Sequence, residues 1–255
     1  MSLLAGFAER LDQAAFKAQA TPQISLESTL AVDDAYEVQA LSLAQRYARG
    51  ERLIGLKLGF TSKAKMEQMG VHDMIWGRLT DQMYLDSGGT LDMEAFIHPR
   101  VEPEICFRVA KDLPWPLKRS ELTEYIDGIA PALEVIDSRY ENFKFSLEDV
   151  IADNCSSAAF VVGPWMSQHT PLSNLGIELI IDGETVQSGN SDAILGDPWE
   201  SVIAAARLAH QHGQPIVAGS YLMAGAATSA VYLKKGQSIE AKVESLGMIG
   251  FTVSQ

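Results

Sequence analysis

The chain has 255 residues, of which 47% are hydrophobic and 21% are charged. This composition is typical of a globular protein with one large core, or a core and a small subdomain. The net charge of −13 argues against nucleic acid and against an anionic membrane as partners. No stretch of about 18 apolar residues is present, so we expect no membrane span.

The cellular compartment of the protein is predicted from its first residues and its cysteines. Its start lacks a basic leader and a cleavage signature, so we expect no targeting peptide. Cys106 and Cys155 both lie in apolar segments, where buried and reduced thiols are expected. These features predict a cytoplasmic protein.

The first 52 residues are predicted to form a helical N-terminal region. Apolar residues recur at helical spacing over residues 2–19, and a second helix is predicted from Asp33 as N-cap to Gly50 as C-cap. Residues 53–255 are predicted to form a second region, in which strands and turns predominate.

The first predicted strand carries a lysine between two glycines. Leu56 and Leu58 point to one face, whereas Gly55, Lys57 and Gly59 point to the other. The glycines leave room for a ligand or for another backbone. The alternative is a solvated lysine on an edge strand, because most lysines are exposed. Thr61 and Ser62 are then predicted to cap a short helix that ends at Gly70.

The rest of the chain predicts an α+β fold with a β-rich core. Asp182-Gly183 between two apolar runs indicates a hairpin, and Asp197-Pro198 marks the start of a helix that ends at Gly213. Further predictions are a helix over Ser120–Ile126, a capping box from Ser146 to Asp149, a strand at Val161-Val162, and short strands between Tyr221 and Val253. Several strands with few crossover helices argue against a doubly wound sheet.

Three glutamates form a candidate metal site. Glu102 and Glu104 lie two apart in a strand-like run and therefore point the same way, and Glu134 lies in another apolar run. Buried carboxylates repel one another unless a cation lies between them. An all-oxygen site suits Mg²⁺, Mn²⁺ or Ca²⁺ rather than zinc. The alternative is that these side chains face solvent on an amphipathic strand.

Other polar residues give weaker signals. Asp153-Asn154 is a candidate for holding a water or a substrate oxygen, although an Asx turn at a helix end is an equal fit. Arg139 is suited to gripping a carboxylate, although such arginines usually form surface ion pairs. The five histidines lack metal-ligand spacing and are predicted to be structural or exposed. No nucleophile elbow, phosphate-binding loop or dinucleotide fingerprint is present.

Several motifs occur together along the chain in one order. They are Asp34-Ala35-Tyr36 with Val38-Gln39, Gly55-Leu56-Lys57-Leu58-Gly59 with Thr61-Ser62, Lys65-Met66 through Met69-Gly70-Val71, His98-Pro99-Arg100-Val101-Glu102-Pro103-Glu104-Ile105, the Glu134 strand, Ala152-Asp153-Asn154, and Gly247-Met248-Ile249-Gly250. With these motifs the chain resembles the 2-keto-4-pentenoate hydratase and 2-oxo-3-hexenedioate (4-oxalocrotonate) decarboxylase branch of the fumarylacetoacetase-like proteins. The resemblance covers nearly the whole chain.

The resemblance implies a β-rich, roll-like core of mixed sheets with a helical N-terminal layer. By this resemblance Glu102, Glu104 and Glu134 match the family's ligands for Mg²⁺ or Mn²⁺, and Lys57 matches its active-site lysine. The expected catalytic residues are Lys57, Asp153 and Arg139. Expected substrate contacts are Thr61, Ser62, Ile75, Asn154 and Thr228. Homo-oligomers, and a complex with a pathway hydratase, are implied as well.

The activity expected from the resemblance is decarboxylation. Hydratases of this family usually carry Asp-Phe-Gly where this chain has Ile75-Trp76-Gly77, and an apolar residue at 75 suits exclusion of water. We therefore expect metal-dependent conversion of 2-oxo-3-hexenedioate to 2-hydroxypenta-2,4-dienoate in the meta-cleavage catabolism of aromatic compounds. The alternatives are a 2-hydroxypenta-2,4-dienoate hydratase and a catalytically idle relative that binds a partner enzyme.

One departure from the family pattern predicts a structural consequence. Pro103 stands where alanine is common, and proline has no N–H to donate to a neighbouring strand. We therefore expect the Glu102 strand to lie at an edge of the sheet, or to be bulged, at this residue.

Overall fold

The computed structural model describes residues 2–61, 66 and 73–255. Its helices are α1 (Leu3–Phe16), α2 (Val32–Ala48), α3 (Leu122–Tyr125), α4 (Leu147–Ala152) and α5 (Trp199–Gln211). Its strands are β1 (Leu53–Gly59), β2 (Ile75–Thr80), β3 (Thr90–Leu91), β4 (Arg100–Val109), β5 (Ile126–Ile136), β6 (Ser157–Val162), β7 (Gly176–Ile181), β8 (Glu184–Asn190), β9 (Tyr221–Met223), β10 (Val231–Tyr232), β11 (Ser238–Val243) and β12 (Gly247–Val253).

The predicted α+β class is confirmed by two sheets and a helical N-terminus. The first sheet has the order β2-β1-β9-β4-β5-β6, with β10 beside the start of β4, and the second has the order β3-β12-β11-β7-β8. Strands β1 and β9 are parallel, while β4 and β5 are antiparallel, so the first sheet is mixed as predicted. Helices α1 and α2 precede all strands, and the division of the chain at residues 52 and 53 stays a prediction.

Most predicted element boundaries lie within a few residues of the observed ones. Asp182 and Gly183 adopt φ of +53° and +84° between β7 and β8, which confirms the hairpin. The Ser146 hydroxyl accepts the Asp149 N–H at the start of α4, so the capping box is confirmed. Helix α5 begins at Trp199, whose N–H is bound by the Asp197 carboxylate at 3.0 Å.

The start of α2 differs from the prediction. Asp33 lies in the first turn of the helix, and the N-cap position is occupied by Ala31. The Asp34 carboxylate accepts the N–H of Ala31 at 3.2 Å, so an acidic side chain inside the first turn does the capping instead.

The first sheet separates two environments. On one face, β4 side chains such as Ile105 and Phe107 pack with apolar residues of the helices, including Trp199 of α5. The alternate residue Cys106 packs with Ala130 and Phe160 on the opposite face. Because side chains alternate along a strand, Glu102 and Glu104 project to this second face.

The strand is not bulged at Pro103 and β4 lies inside the sheet, but on one side Pro103 has no strand partner among the described residues, so the predicted edge is confirmed at this residue alone. Pro103 pairs in continuous register with Leu133 of β5. Its carbonyl accepts the Ala227 N–H at 3.1 Å on the other side, in the gap where β9 has ended and β10 has not begun. The missing N–H therefore points into this gap, where no strand is paired with Pro103.

Some predictions fall on residues that the structure does not describe, and the predicted lack of a membrane span concerns the described helices. The predicted short helix after Thr61 lies largely outside the described residues, as do Ser62 and His72. Across the described ranges, no helix is both long and apolar enough to cross a membrane.

Candidate metal centre

The strand pairing brings the three glutamates together. Glu102 of β4 pairs directly with Glu134 of β5, and Glu104 follows on the same face. One carboxylate oxygen from each lies within 4.8 Å of the others. Glu104 and Glu134 have no solvent exposure, and Glu102 is half-buried. The solvent-facing alternative is therefore wrong for the two buried carboxylates.

The electrostatics of this cluster fit a bound cation. Burial raises the pKa of Glu104 well above its usual range, and the Glu134 and Glu102 carboxylates raise it further. Burial also raises the pKa of Glu134, although Lys57 opposes this shift. Among the described residues, Oε1 of Glu104 and Oε1 of Glu134 have no hydrogen-bond partner. Buried carboxylate oxygens that converge without partners are the donor set that a hard divalent ion prefers.

Lys57 is part of the same cluster. Strand β1 lies between β2 and β9, and the Lys57 side chain is buried, so the solvated edge-strand alternative is wrong. Its Nζ lies 2.9 Å from Oε2 of Glu134 and donates to the Cys155 carbonyl at 3.3 Å. Burial lowers the pKa of Lys57, but Glu134 and the other nearby acidic groups raise it more, and the net shift is upward.

The glycines beside Lys57 make room for neighbouring protein atoms. A Cβ at Gly55 would lie 2.3 Å from the Tyr221 carbonyl oxygen of β9. A Cβ at Gly59 would lie 2.9 Å from Cγ1 of Ile75. Of the two predicted uses of this space, close approach of another backbone is confirmed at Gly55.

Gly225 supports the cluster and was missed by the sequence analysis. Its N–H donates to Oε2 of Glu104 at 2.9 Å, and its φ is +108°. A Cβ at Gly225 would lie 2.1 Å from Oγ1 of Thr61. The predicted substrate contact Thr61 therefore lies next to the glycine that binds Glu104. The available signal was a single glycine just after the predicted strand Tyr221–Met223.

Arg139 and Asp153 form a buried network of their own. The Arg139 guanidinium donates to the Asp153 carboxylate and carbonyl, and to the carbonyls of Asp137 at 2.7 Å and Ser157 at 3.0 Å. The alternative of a surface ion pair is wrong, because both side chains are buried. These contacts occupy the guanidinium within the protein and lend no support to a grip on substrate. The catalytic roles of Arg139 and Asp153 stay predictions.

Asn154 is bound to the backbone of the first sheet. Its amide accepts the Arg78 N–H at 2.7 Å and donates to the Arg78 carbonyl at 2.9 Å, along the outer edge of β2. This side chain thus replaces a neighbouring strand. Its role in substrate binding stays a prediction.

The other predicted substrate contacts have protein neighbours. Ile75 is buried and packs over Gly59. Thr228 is half-buried, with Cγ2 placed 3.0 Å from where a Cβ on Gly189 would be. Substrate contact by Ile75 and Thr228 stays a prediction.

The described histidines are structural or exposed, as predicted. The His98 ring bonds to the Ser138 carbonyl at 2.8 Å, and the His212 ring packs on Tyr36. His169 and His210 are exposed. In the described part of the chain, the group of side chains placed to hold a metal ion consists of glutamates alone.

Comparison with known proteins places this arrangement in a family. Residues 66–254 match the model of the fumarylacetoacetate (FAA) hydrolase C-terminal family. The chain belongs to the fumarylacetoacetate hydrolase family. It is 50% identical over 247 residues to a 4-oxalocrotonate decarboxylase of a Pseudomonas species, covering 97% of this chain and 96% of that relative.

Two other relatives extend the family comparison. The chain is 33% identical over 221 residues to a 2-keto-4-pentenoate hydratase of Paraburkholderia xenovorans (strain LB400), covering 86% of this chain and 82% of the hydratase. A solved 4-oxalocrotonate decarboxylase from Pseudomonas putida G7, complexed with magnesium and adipate, superposes with a TM-score of 0.94 at 36% identity. The match covers 98% of this chain and 97% of that one, which confirms the predicted fold.

Proposed function

We propose that this protein is a divalent-metal-dependent decarboxylase of 2-oxo-3-hexenedioate (4-oxalocrotonate) that forms CO₂ and 2-hydroxypenta-2,4-dienoate. The buried glutamate cluster with its lysine carries this proposal, because it suits a 2-oxo acid held by a hard cation. Identity of 50% to a 4-oxalocrotonate decarboxylase over 97% of the chain supports the choice of reaction.

Glu102, Glu104 and Glu134 would hold the ion, which we propose to be Mg²⁺. The magnesium in the related decarboxylase and the orphaned oxygens of Glu104 and Glu134 support this choice. When bound, the ion would supply Lewis acidity at the oxygens of a 2-oxo acid. Mn²⁺ has the same preference for carboxylate oxygen and is the second choice.

The proposed reaction breaks the bond between C5 and C6 of the substrate. When CO₂ leaves, the electron pair of this bond stays on C5 and moves through the conjugated alkene to the oxygen on C2. Protonation of that oxygen completes the dienol product. Lys57 lies buried beside Glu134 with its ammonium held by the Cys155 carbonyl. In this proposal its fixed positive charge stabilises the negative charge that develops at the C1–C2 end of the substrate.

The strand beside Lys57 favours decarboxylation over hydration. Ile75 and Trp76 of β2 are both buried. A hydratase needs a polar group to position its attacking water, whereas a decarboxylase gains from excluding water around the leaving carboxylate. We therefore propose that Ile75 helps to keep this part of the site dry.

A hydratase acting on 2-hydroxypenta-2,4-dienoate is the second candidate, because a 33% identical relative has a hydratase name. A third candidate is an idle relative that binds a partner enzyme. Incubating the purified protein and Mg²⁺ with each substrate separates the three. CO₂ release from the six-carbon diacid supports the decarboxylase, and loss of dienoate absorbance supports the hydratase. The absence of both signals supports the idle relative.

The proposal also covers the compartment, the pathway and the assembly of the enzyme. We propose that it acts in the cytoplasm on a small dicarboxylate in aromatic catabolism, as a homo-oligomer that associates with a pathway hydratase. Cys106 and Cys155 are buried free thiols, which suits a reducing compartment.

A further inference from the structure

Ser157 has a buried hydroxyl without a hydrogen-bond partner. It is the first residue of β6 and only 1% exposed. Its Oγ makes no hydrogen bond in the described part of the chain, although its carbonyl accepts from Arg139 at 3.0 Å. A buried hydroxyl left unpaired costs stability, so its retention calls for a physical reason.

The hydroxyl lies against Gly77, the residue opposite Lys57 in the sheet. Gly77 of β2 is the direct cross-strand partner of Lys57, and directly paired residues project to the same face of a sheet. A Cβ at Gly77 would lie only 2.8 Å from Oγ of Ser157. The absence of a side chain at Gly77 therefore lets this hydroxyl reach the face from which Lys57 projects.

A short turn links the hydroxyl to the Lys57 ammonium. Cys155, two residues before Ser157, supplies the carbonyl that Nζ of Lys57 contacts at 3.3 Å. Residues Asn154, Cys155 and Ser156 adopt φ of +50°, +51° and +58°. Such consecutive left-handed residues persist only where the surroundings enforce them. Here Arg139 binds the carbonyls on both sides of the turn, at Asp153 and Ser157.

We propose that Oγ of Ser157 donates a hydrogen bond to the carboxylate or keto oxygen of a 2-oxo acid bound next to Lys57. This inference rests on the proposed function, since it names a further contact in that site. The partner is an electron-rich oxygen, because the adjacent ammonium favours anionic ligands and the hydroxyl can supply the proton of a hydrogen bond. Arg139 and Asp153 act as positioning residues, because they hold the turn that carries both Ser157 and the Cys155 carbonyl.

The test compares Ser157→Ala with Ser156→Ala. Ser156 is the matched control, because it is an adjacent buried serine whose hydroxyl contacts Asp153 at 3.5 Å rather than facing Gly77. The probe is 2-oxoadipate, a saturated 2-oxo dicarboxylate, titrated by calorimetry into protein with saturating Mg²⁺. We expect Ser157→Ala to weaken its binding about tenfold, as for the loss of a hydrogen bond to a charged group.

A second measurement separates a ligand contact from a structural role. Because Oγ of Ser157 has no partner among the described residues, Ser157→Ala is expected to keep or raise the wild-type thermal unfolding midpoint without ligand. A lowered midpoint, or wild-type affinity for 2-oxoadipate in Ser157→Ala, would overturn the inference. An equal loss of affinity in Ser156→Ala would also overturn it.

The outcome is independent of the proposed reaction. If the wild-type protein releases CO₂ but Ser157→Ala binds 2-oxoadipate normally, the serine contact fails and the decarboxylase stands. If the wild-type protein releases no CO₂ but Ser157→Ala still loses affinity, the contact stands and the proposed activity fails.

Discussion

The ion pair between Lys57 and Glu134 sets the balance of charge in the site. Three carboxylates and one ammonium meet in this largely buried space, so the lysine offsets only part of the negative charge. A buried pair gains little net stability when formed, but removal of one partner leaves an uncompensated charge. The remaining negative charge leaves the site suited to a cation.

Lys57→Met tests this balance. We expect the metal-free protein to lose about 3 kcal/mol of unfolding free energy, because Glu134 is left buried without its cation. Turnover should fall by several powers of ten while Mg²⁺ still binds the three carboxylates. Urea unfolding, calorimetry with Mg²⁺ and CO₂ release measure these effects.

The control for this variant is Lys242→Met, which changes an exposed lysine of β11. It should alter stability by no more than about 0.5 kcal/mol. Turnover like that of the wild type in Lys57→Met would remove the lysine from the mechanism.

At the scale of elements, two connecting segments complete what the strands begin. The segment after β9 brings the Gly225 N–H to Glu104, and the turn before β6 brings the Cys155 carbonyl to Lys57. The strands supply the charged side chains, whereas these segments supply backbone groups that orient them. Main-chain groups held by a rigid scaffold are well suited to such support.

Gly225→Ala tests the segment after β9. The new Cβ would meet Oγ1 of Thr61 at 2.1 Å in a left-handed backbone, and the N–H bond to Glu104 would be displaced. The matched control is Gly183→Ala, where φ is +84° and the space is open. We expect Gly225→Ala to be less stable than Gly183→Ala by about 2 kcal/mol, since only the first is overpacked.

Metal affinity gives a second measure of Gly225→Ala. Mg²⁺ binding should weaken in Gly225→Ala and stay unchanged in Gly183→Ala, as followed by calorimetry. Equal stability and equal affinity in the two variants would show that the Gly225 contact does not support the site.

At the scale of the whole molecule, the proposed metal binding is coupled to folding. The glutamates come from β4 and β5 at the centre of the first sheet, so the site exists only when these strands are paired. An ion that binds this folded arrangement and not the unfolded chain stabilises the whole protein by mass action.

Magnesium is expected to raise the unfolding midpoint. At about 100 times the dissociation constant the gain is about 2.7 kcal/mol, which is roughly 5–10 °C for a chain of this size. Glu104→Gln should abolish the rise without lowering the midpoint in EDTA, because it removes one of the mutually repelling buried carboxylates. Thermal unfolding of both proteins with Mg²⁺ and with EDTA checks this, and an equal rise in both would exclude Glu104 as a ligand.

Much of the fold could be predicted because its signals are local. The Asp182-Gly183 hairpin, the Ser146 capping box and the alternation of Glu102 with Glu104 each depend on residues close in sequence. The predicted N-cap of α2 was wrong because the carboxylate that caps the helix belongs to Asp34, inside the first turn, and not to Asp33. The edge at Pro103 could be predicted from its missing N–H, but its place in a gap between β9 and β10 could not, because that gap depends on where distant strands end.

The amino-acid sequence by itself determined the strand alternation, the identity of the three glutamates and Lys57 as candidates, and the family resemblance. Only the tertiary structure decided that Gly225 supports Glu104 across 121 residues and that the Cys155 carbonyl meets Lys57 across 98. It also decided that the Arg139 guanidinium binds groups of its own chain and that the Ser157 hydroxyl has no partner in the part of the chain that the structure describes. The Gly225 and Cys155 contacts join distant segments through backbone groups, which carry no residue-specific signal in the sequence.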